Sequence, residues 1–253
     1  MIIGVIPARF GSSRLMGKPL ADIGGKPMIQ HTYESASKSK LLDEVIIAVD
    51  DDKVYKVAKE FCDNVKITPK DIATGSDRIA HVVRDMSAAK IVVNIQGDEP
   101  FISGKMIDQA IEPLLFDESV EITTLAKRIT RVDELTSASI PKVVFDYHNF
   151  ALYFSRSPIP HVRDAKTNYE RVKNYELYKH IGLYVYRREA LLKFTKLKPT
   201  DLEQMERLEQ LRMLENGFKI KMVVTEFESL SVDTELDLRK AREYYEKYIV
   251  NEE

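Results

Sequence analysis

The sequence predicts an α/β protein with a mostly parallel sheet, helices on both faces and an inserted β-rich lobe. Three observations lead there. Short β-branched apolar runs alternate with helix-like segments along the first hundred or so residues, the pattern of strands that pair in parallel across helical connections. After about residue 120 this gives way to closely spaced strands and a polar stretch. The 253 residues, 44% hydrophobic, suffice for one large core, and no break in composition marks a linker. The chain 1–253 therefore reads as a single domain, with the lobe at about 131–187.

The first strand is the run 2–6, short and β-branched. It leads into Pro7-Ala8-Arg9-Phe10-Gly11-Ser12-Ser13-Arg14-Leu15-Met16-Gly17-Lys18-Pro19-Leu20. Glycines let a backbone bend close to a ligand, and the N–H groups of such a loop can surround an anion. With Arg9, Arg14 and Lys18 on one loop at a strand's carboxyl end, the segment reads as a cradle for a polyphosphate. It is not a P-loop: five residues separate Gly11 from Gly17, and Pro19 stands where a metal-binding hydroxyl belongs. It also lacks the Gly-x-Gly-x-x-Gly dinucleotide fingerprint.

Strands follow at 45–49, 65–67 and 91–95, with helices at 28–39, 52–61 and 76–86. Pro27 suits the first turn of the first helix. Asp50-Asp51-Asp52 places a carboxylate at the start of the second, and Ser76, in Thr74-Gly75-Ser76-Asp77-Arg78, is expected to cap the third. Asn94-Ile95-Gln96-Gly97-Asp98-Glu99-Pro100 leaves the fourth strand on the same rim as the cationic loop. A carboxylate such as Asp98 facing a polyphosphate implies Mg²⁺ between them.

In the second half, strands are expected at 121–128, 142–146 and 149–155, the last two joined by the turn Tyr147-His148-Asn149. The polar stretch to Lys179, with Tyr169, Tyr175 and Tyr178, reads as a loop or arm. A strand follows at 180–187, one amphipathic helix at 202–215 ending at Asn216-Gly217, a strand at 219–224, and a last helix at 234–248 opened by Thr234 and Asp237. Asp233, just before that helix, is either a capping residue or a ligand, and spacing leaves both open.

Composition excludes several classes. The net charge of −2 gives no chain-wide basic surface for nucleic acid. Cys62 stands alone, so there is no disulfide framework or cysteine zinc site, and it reads as a core filler. The first residues read as a strand rather than a signal peptide, and no apolar run is long enough to span a bilayer. A cytoplasmic protein without membrane insertion is expected.

Taken together, these motifs resemble the CMP-KDO synthetase family, the 3-deoxy-D-manno-octulosonate (KDO) cytidylyltransferases, over nearly the whole chain. The likeness runs through Ile6-Pro7-Ala8-Arg9 to Gly17-Lys18-Pro19-Leu20, and Asn94 to Pro100, two blocks shared with many sugar nucleotidylyltransferases. Four further blocks are specific to the octulosonate branch: Ala151-Leu152-Tyr153-Phe154-Ser155-Arg156 with Ile159-Pro160, His180-Ile181-Gly182-Leu183-Tyr184, Leu208-Glu209-Gln210-Leu211-Arg212, and Val232-Asp233-Thr234. Met16, Ile72-Ala73 and Ser231 depart from the usual pattern, and none of these removes a charge that the chemistry needs.

The resemblance implies a Rossmann-like nucleotide-diphospho-sugar transferase fold and a reaction of CTP with KDO, giving CMP-KDO and pyrophosphate for lipopolysaccharide biosynthesis. It implies nucleotide contacts from Ala8, Arg9, Ser12, Arg14, Lys18, Ser76, Arg78 and Gln96. Sugar contacts fall to Gln96, Arg156, His180, Tyr184, Glu209 and Gln210, and Mg²⁺ to Asp98 and Asp233. The catalytic set is Arg14, Lys18, Asp98 and Asp233. The forked guanidinium of Arg156 suits the sugar's carboxylate. A homodimer built on the lobe is implied, with the tyrosines of 169–186 as a candidate surface. Plainer roles remain open: Tyr184 as core, His180 as a structural histidine, Glu209 or Gln210 facing solvent. Rival functions are activation of the 8-amino form of KDO or another acidic sugar, and a nucleotide-binding regulator without turnover.

Overall fold

The computed structural model describes residues 1–11 and 15–249. The chain divides into two compact units, one formed by Met1–Asp108 with the stretch from Glu228 onward, the other by Gln109–Phe227.

The first unit begins as alternating strands and helices: β1 (Ile2–Ala8), a short hairpin β2 (Asp22–Ile23) and β3 (Lys26–Pro27), α1 (Met28–Ala36), β4 (Glu44–Val49), α2 (Asp52–Ala58), β5 (Val65–Ile67), α3 (Gly75–Val83) and β6 (Ile91–Asn94); α4 (Gly104–Phe116) starts in this unit and ends in the second. The order β6-β1-β4-β5 pairs in parallel throughout. Ile3, Val5 and Ile6 are wholly buried although they point to opposite faces of β1, which requires a covering layer on each side and explains the unbroken apolar run. The register pairs Ala8 with Val49 and Val5 with Asn94. The segments that follow β1, β4 and β6 therefore leave the sheet at one edge.

Local chemistry sets the helix starts. Asp51 caps α2 by accepting from the Lys53 N–H at 2.8 Å. Thr74, not Ser76, caps α3, accepting from Asp77 N–H at 3.1 Å; Ser76 lies buried in the first turn. The sequence reading did not assign α4, a 13-residue helix with Pro113 inside it.

The second unit contains β7 (Ile122–Arg128), α5 (Val132–Thr136), β8 (Lys142–Phe145), β9 (Ala151–Ser155), α6 (Asn168–Asn174), β10 (Tyr178–Arg187), α7 (Arg188–Phe194), α8 (Asp201–Glu206), α9 (Gln210–Glu215) and β11 (Ile220–Val224). β7 pairs in parallel with β11 and antiparallel with β10, while β8 pairs antiparallel with β10 and β9. The β8–β9 hairpin turns as expected, with Asn149 at φ 60° and Asp146 Oδ1 accepting from His148 and Phe150 N–H. Two expectations change. The stretch read as a loop or arm contains α6, capped by Thr167. The single helix 202–215 is two, interrupted where Arg207 takes a left-handed conformation (φ 54°, ψ 46°).

The chain then returns to the first unit with α10 (Glu235–Tyr244) and a π-type turn at Tyr245–Ile249. Leu238 and Ala241 of α10 pack with Ile23, Met28 and Val232. Cys62 is buried, as expected of a core filler. Among the described residues no helix is long and apolar enough to cross a membrane.

Candidate active site

In the first unit, the loop after β1 is pinned at its base. Gly17 N–H donates to Phe10 O at 3.1 Å, and Phe10 N–H donates to Asp50 Oδ1 at 3.0 Å. Gly17 has φ 68°, a conformation that favours glycine, and it starts the single turn Lys18–Leu20. That turn holds Lys18 with only 12% of its side chain exposed. The Lys18 ammonium donates to Asp98 Oδ2 at 2.7 Å and to Asp233 Oδ1 at 2.9 Å.

Two backbone features bring these residues together. A Cβ on Gly97 would lie 2.6 Å from Pro7 O, so only glycine lets the turn carrying Asp98 approach the end of β1 this closely. Val232 N–H donates to Asp98 O at 2.8 Å, setting Asp233 beside Asp98. The cap of α10 is Thr234, reciprocated by Asp237. Asp233 therefore does not cap the helix; its carboxylate is turned to Lys18. The neighbouring Glu99 carboxyl is buried and pushed up to about 7, first by burial and then by the Asp98 charge.

The remaining nucleotide candidates sit around the same loop. Ala8 is buried at the end of β1, and Arg9 donates to Ile72 O at 2.7 Å. Gln96 donates to Asn94 Oδ1 at 3.2 Å. Arg78 has no exposed side-chain surface; it pairs with Asp50 Oδ2 at 3.1 Å and bonds the Thr68 hydroxyl. Asp50 thus joins a buried cation to the loop backbone, a role the sequence did not reveal, since its neighbour Asp51 makes the helix cap. Ser12 and Arg14 lie outside the described residues.

In the second unit, Arg156 follows β9. Its guanidinium donates from Nε to Glu206 O (2.6 Å), from one terminal nitrogen to Ala138 O (2.8 Å) and from the other to Arg207 O (3.2 Å). His180 and Tyr184 lie on β10 across a bulge, their rings 5.4 Å apart. Thr124 Oγ1 lies within hydrogen-bond distance of the bulge carbonyls of Ile181 and Leu183 and of His180 Nε2. A hydroxyl has one hydrogen, so donation to a carbonyl leaves it the acceptor from a protonated Nε2. The ring also meets Phe154 edge-on, and burial pulls its pKa down to about 3.

Burial, then Tyr186 and Glu209, raises the Tyr184 phenol. Among the described residues its hydroxyl is buried without a well-aligned hydrogen bond, the nearby Thr124 being occupied at the bulge. Gln210, 5% exposed, has a buried side-chain nitrogen with no partner among the described residues. Glu209 lies 3.6 Å from the Arg212 guanidinium. The structure thus groups His180, Tyr184 and Glu209, with Gln210 next in sequence. Lys142 and Glu206, which turn out to surround Arg156, went unnoticed in the sequence because each reads as an ordinary surface charge.

Known proteins resemble the chain over nearly its whole length. A profile described as cytidylyltransferase fits residues 3–221. A 3-deoxy-manno-octulosonate cytidylyltransferase of Pelobacter propionicus is 51% identical over 248 residues, covering 96% of this chain and 97% of its own. Its counterpart in Geobacter sulfurreducens is 48% identical over 247 residues, covering 96% and 98%. The solved structure of a CMP:2-keto-3-deoxy-manno-octonic acid synthetase complexed with CTP matches with a TM-score of 0.89 at 38% identity, covering 98% of this chain and 99% of that one. On likeness of this extent, the chain belongs to the 3-deoxy-manno-octulosonate cytidylyltransferase family of nucleotidyltransferases.

Proposed function

We propose that the protein transfers the cytidylyl group of CTP to KDO, releasing pyrophosphate and yielding CMP-KDO for lipopolysaccharide assembly. The observation that carries the chemistry is the meeting of Lys18, Asp98 and Asp233, the first and the last 215 positions apart in the chain. The relatives' names support the choice of substrates.

Two carboxylates converging on one cationic point are the hard oxygen donors that suit Mg²⁺, whose remaining ligands come from water and phosphate. Asp98 and Asp233 are the residues that would hold it. Bound there, Mg²⁺ would supply charge neutralisation at the phosphates and lower the pKa of a nearby hydroxyl.

The protein's own groups position and neutralise. Lys18 and Arg14 are read as cations for the triphosphate. Ala8, Arg9, Ser12, Ser76, Arg78 and Gln96 are read as forming or supporting the nucleotide pocket. The sugar's anomeric hydroxyl attacks the α-phosphorus in line with departing pyrophosphate, so catalysis rests on orientation and charge. Arg156 has five N–H groups, three of them used by carbonyls, which leaves two for the sugar carboxylate. The Gln210 nitrogen, unpartnered among the described residues, and the enclosed His180 and Tyr184 are read as polar groups for sugar hydroxyls.

The protein is read as a single cytoplasmic nucleotidyltransferase domain whose lobe at about 131–187 binds sugar and forms a homodimer. Exposed Tyr169 and Tyr175 support that surface, whereas Tyr184 and Tyr186 are buried and play no part in it. Sedimentation of a monomer at micromolar concentration would remove the dimer. The function itself is tested by pyrophosphate release with CTP and Mg²⁺ across KDO, its 8-amino form and a sialic acid. Release with KDO is expected; none with any acid overturns the reading.

A further inference from the structure

The interruption between α8 and α9 is not written in the helical pattern. Residues 202–215 keep an amphipathic periodicity, yet Arg207 sits at φ 54°, a conformation unfavourable by about 1 kcal/mol or more for a residue with a Cβ. In an unbroken helix the carbonyls of Glu206 and Arg207 would accept from the N–H groups four residues on. Here both accept from the guanidinium of Arg156 instead.

The rest of Arg156 is gripped as well. Its N–H donates to Glu206 Oε2 at 2.9 Å, and the other oxygen of that carboxylate accepts from Ser155 Oγ at 2.6 Å. The buried Lys142 ammonium donates to Arg156 O at 2.6 Å and to the carbonyls of Ser137 and Ile140. Glu206 therefore holds Arg156 through both its carboxylate and its carbonyl, and stands three residues before Glu209. We propose that Glu206 is a positioning residue for the sugar acid. It fixes the plane of the Arg156 fork and ties it to the turn from which Glu209 and Gln210 arise, without touching the sugar itself. This rests on the reading of Arg156 as the residue that binds the sugar carboxylate.

The test compares Michaelis constants for KDO and CTP in the full-length enzyme with Mg²⁺, alongside melting temperature. Glu206→Ala is expected to raise the KDO constant by about tenfold or more, the scale of a lost charge-assisted hydrogen bond, with the CTP constant unchanged. Glu206→Gln keeps an acceptor for the Arg156 N–H and should come back to within about threefold of the parent. Adding Glu206→Ala to Arg156→Ala should cost nothing further, because the Glu206 carboxylate reaches the sugar only through the Arg156 side chain that it positions. Should Glu206→Ala not fold, Ser155→Ala takes its place, with a rise of roughly two- to threefold expected for KDO alone. An unchanged KDO constant, or equal rises for KDO and CTP, overturns the positioning role. If Arg156→Ala itself leaves the KDO constant unchanged, the reading of Arg156 has failed, an outcome distinct from failure of Glu206 alone.

Discussion

The two units hold their cations in different ways. In the first, the Lys18 ammonium lies between two carboxylates that keep 27% and 37% of their side-chain surface exposed. In the second, Lys142 is buried against three carbonyls, and the Arg156 guanidinium is held by three more. Carbonyl dipoles fix a cation in place and leave its charge intact. Paired carboxylates offer a site where one cation can be exchanged for another. The difference fits the proposed division, with turnover in the first unit and selection of the sugar in the second.

The comparison breaks most readily at Asp233. Asp233→Asn removes one charge while leaving the Thr234 cap in place. Turnover is expected to fall by about 10²–10³-fold, the scale of losing one preorganised electrostatic contact, with the melting temperature nearly unchanged. Turnover and melting measured on one preparation decide it, and full activity would leave Asp98 as the only ligand named.

Asp50→Ala comes next. It strips the partner from the fully buried Arg78 and frees Phe10 N–H, so urea unfolding should show a loss of about 3 kcal/mol, the usual result of orphaning a buried charge. A loss below about 1 kcal/mol would mean that the loop is held by other contacts.

Arg156→Lys sharpens the other side of the comparison. A compact ammonium cannot reproduce the fork, and KDO binding should weaken by about 1.5–3 kcal/mol while CTP binding is preserved. Equal loss for both substrates would contradict the division of labour.

The smallest effect concerns acid. The unfolded chain protonates histidine near 6.5, whereas folded His180 stays neutral down to about 3. Below pH 6.5 the unfolded state therefore binds the extra proton, and the folded state loses stability as pH falls through that window. His180→Gln should flatten the decline in melting temperature between pH 7 and 5; an identical decline would show that the ring takes up protons freely in the fold.

How much of this the sequence revealed depends on the range of the interactions. The parallel strands, the Thr234–Asp237 cap and the Asn216-Gly217 stop are local, and their residues signal them directly. The meeting of Asp98 with Asp233 was expected only through the family likeness, because a backbone hydrogen bond across the fold sets it. The break at Arg207 left no trace in periodicity or turn residues. Its compensation is the Arg156 fork on another element, which propensity cannot sense. For α4, which the sequence analysis did not assign, Pro113 is a local signal against a helix, and the buried face of Met106, Ile107, Ala110, Ile111 and Leu114 sustains it. The burial of Arg78 against Asp50 had no local signal for the same reason: nothing nearby in sequence announces the pair.

The contact between Lys18 and Asp233 also sets an order of events at the ribosome. Lys18 emerges 215 residues before its second carboxylate, a wait of roughly ten to forty seconds at ordinary rates of synthesis. Once Asp98 has been made, 80 residues after Lys18, the nascent first unit has its parallel strands but only half of its carboxylate pair. The whole of the second unit is made before Asp233 appears. A growing chain thus presents an incomplete acidic pair until just before its last helix is translated, when the second unit has already been made.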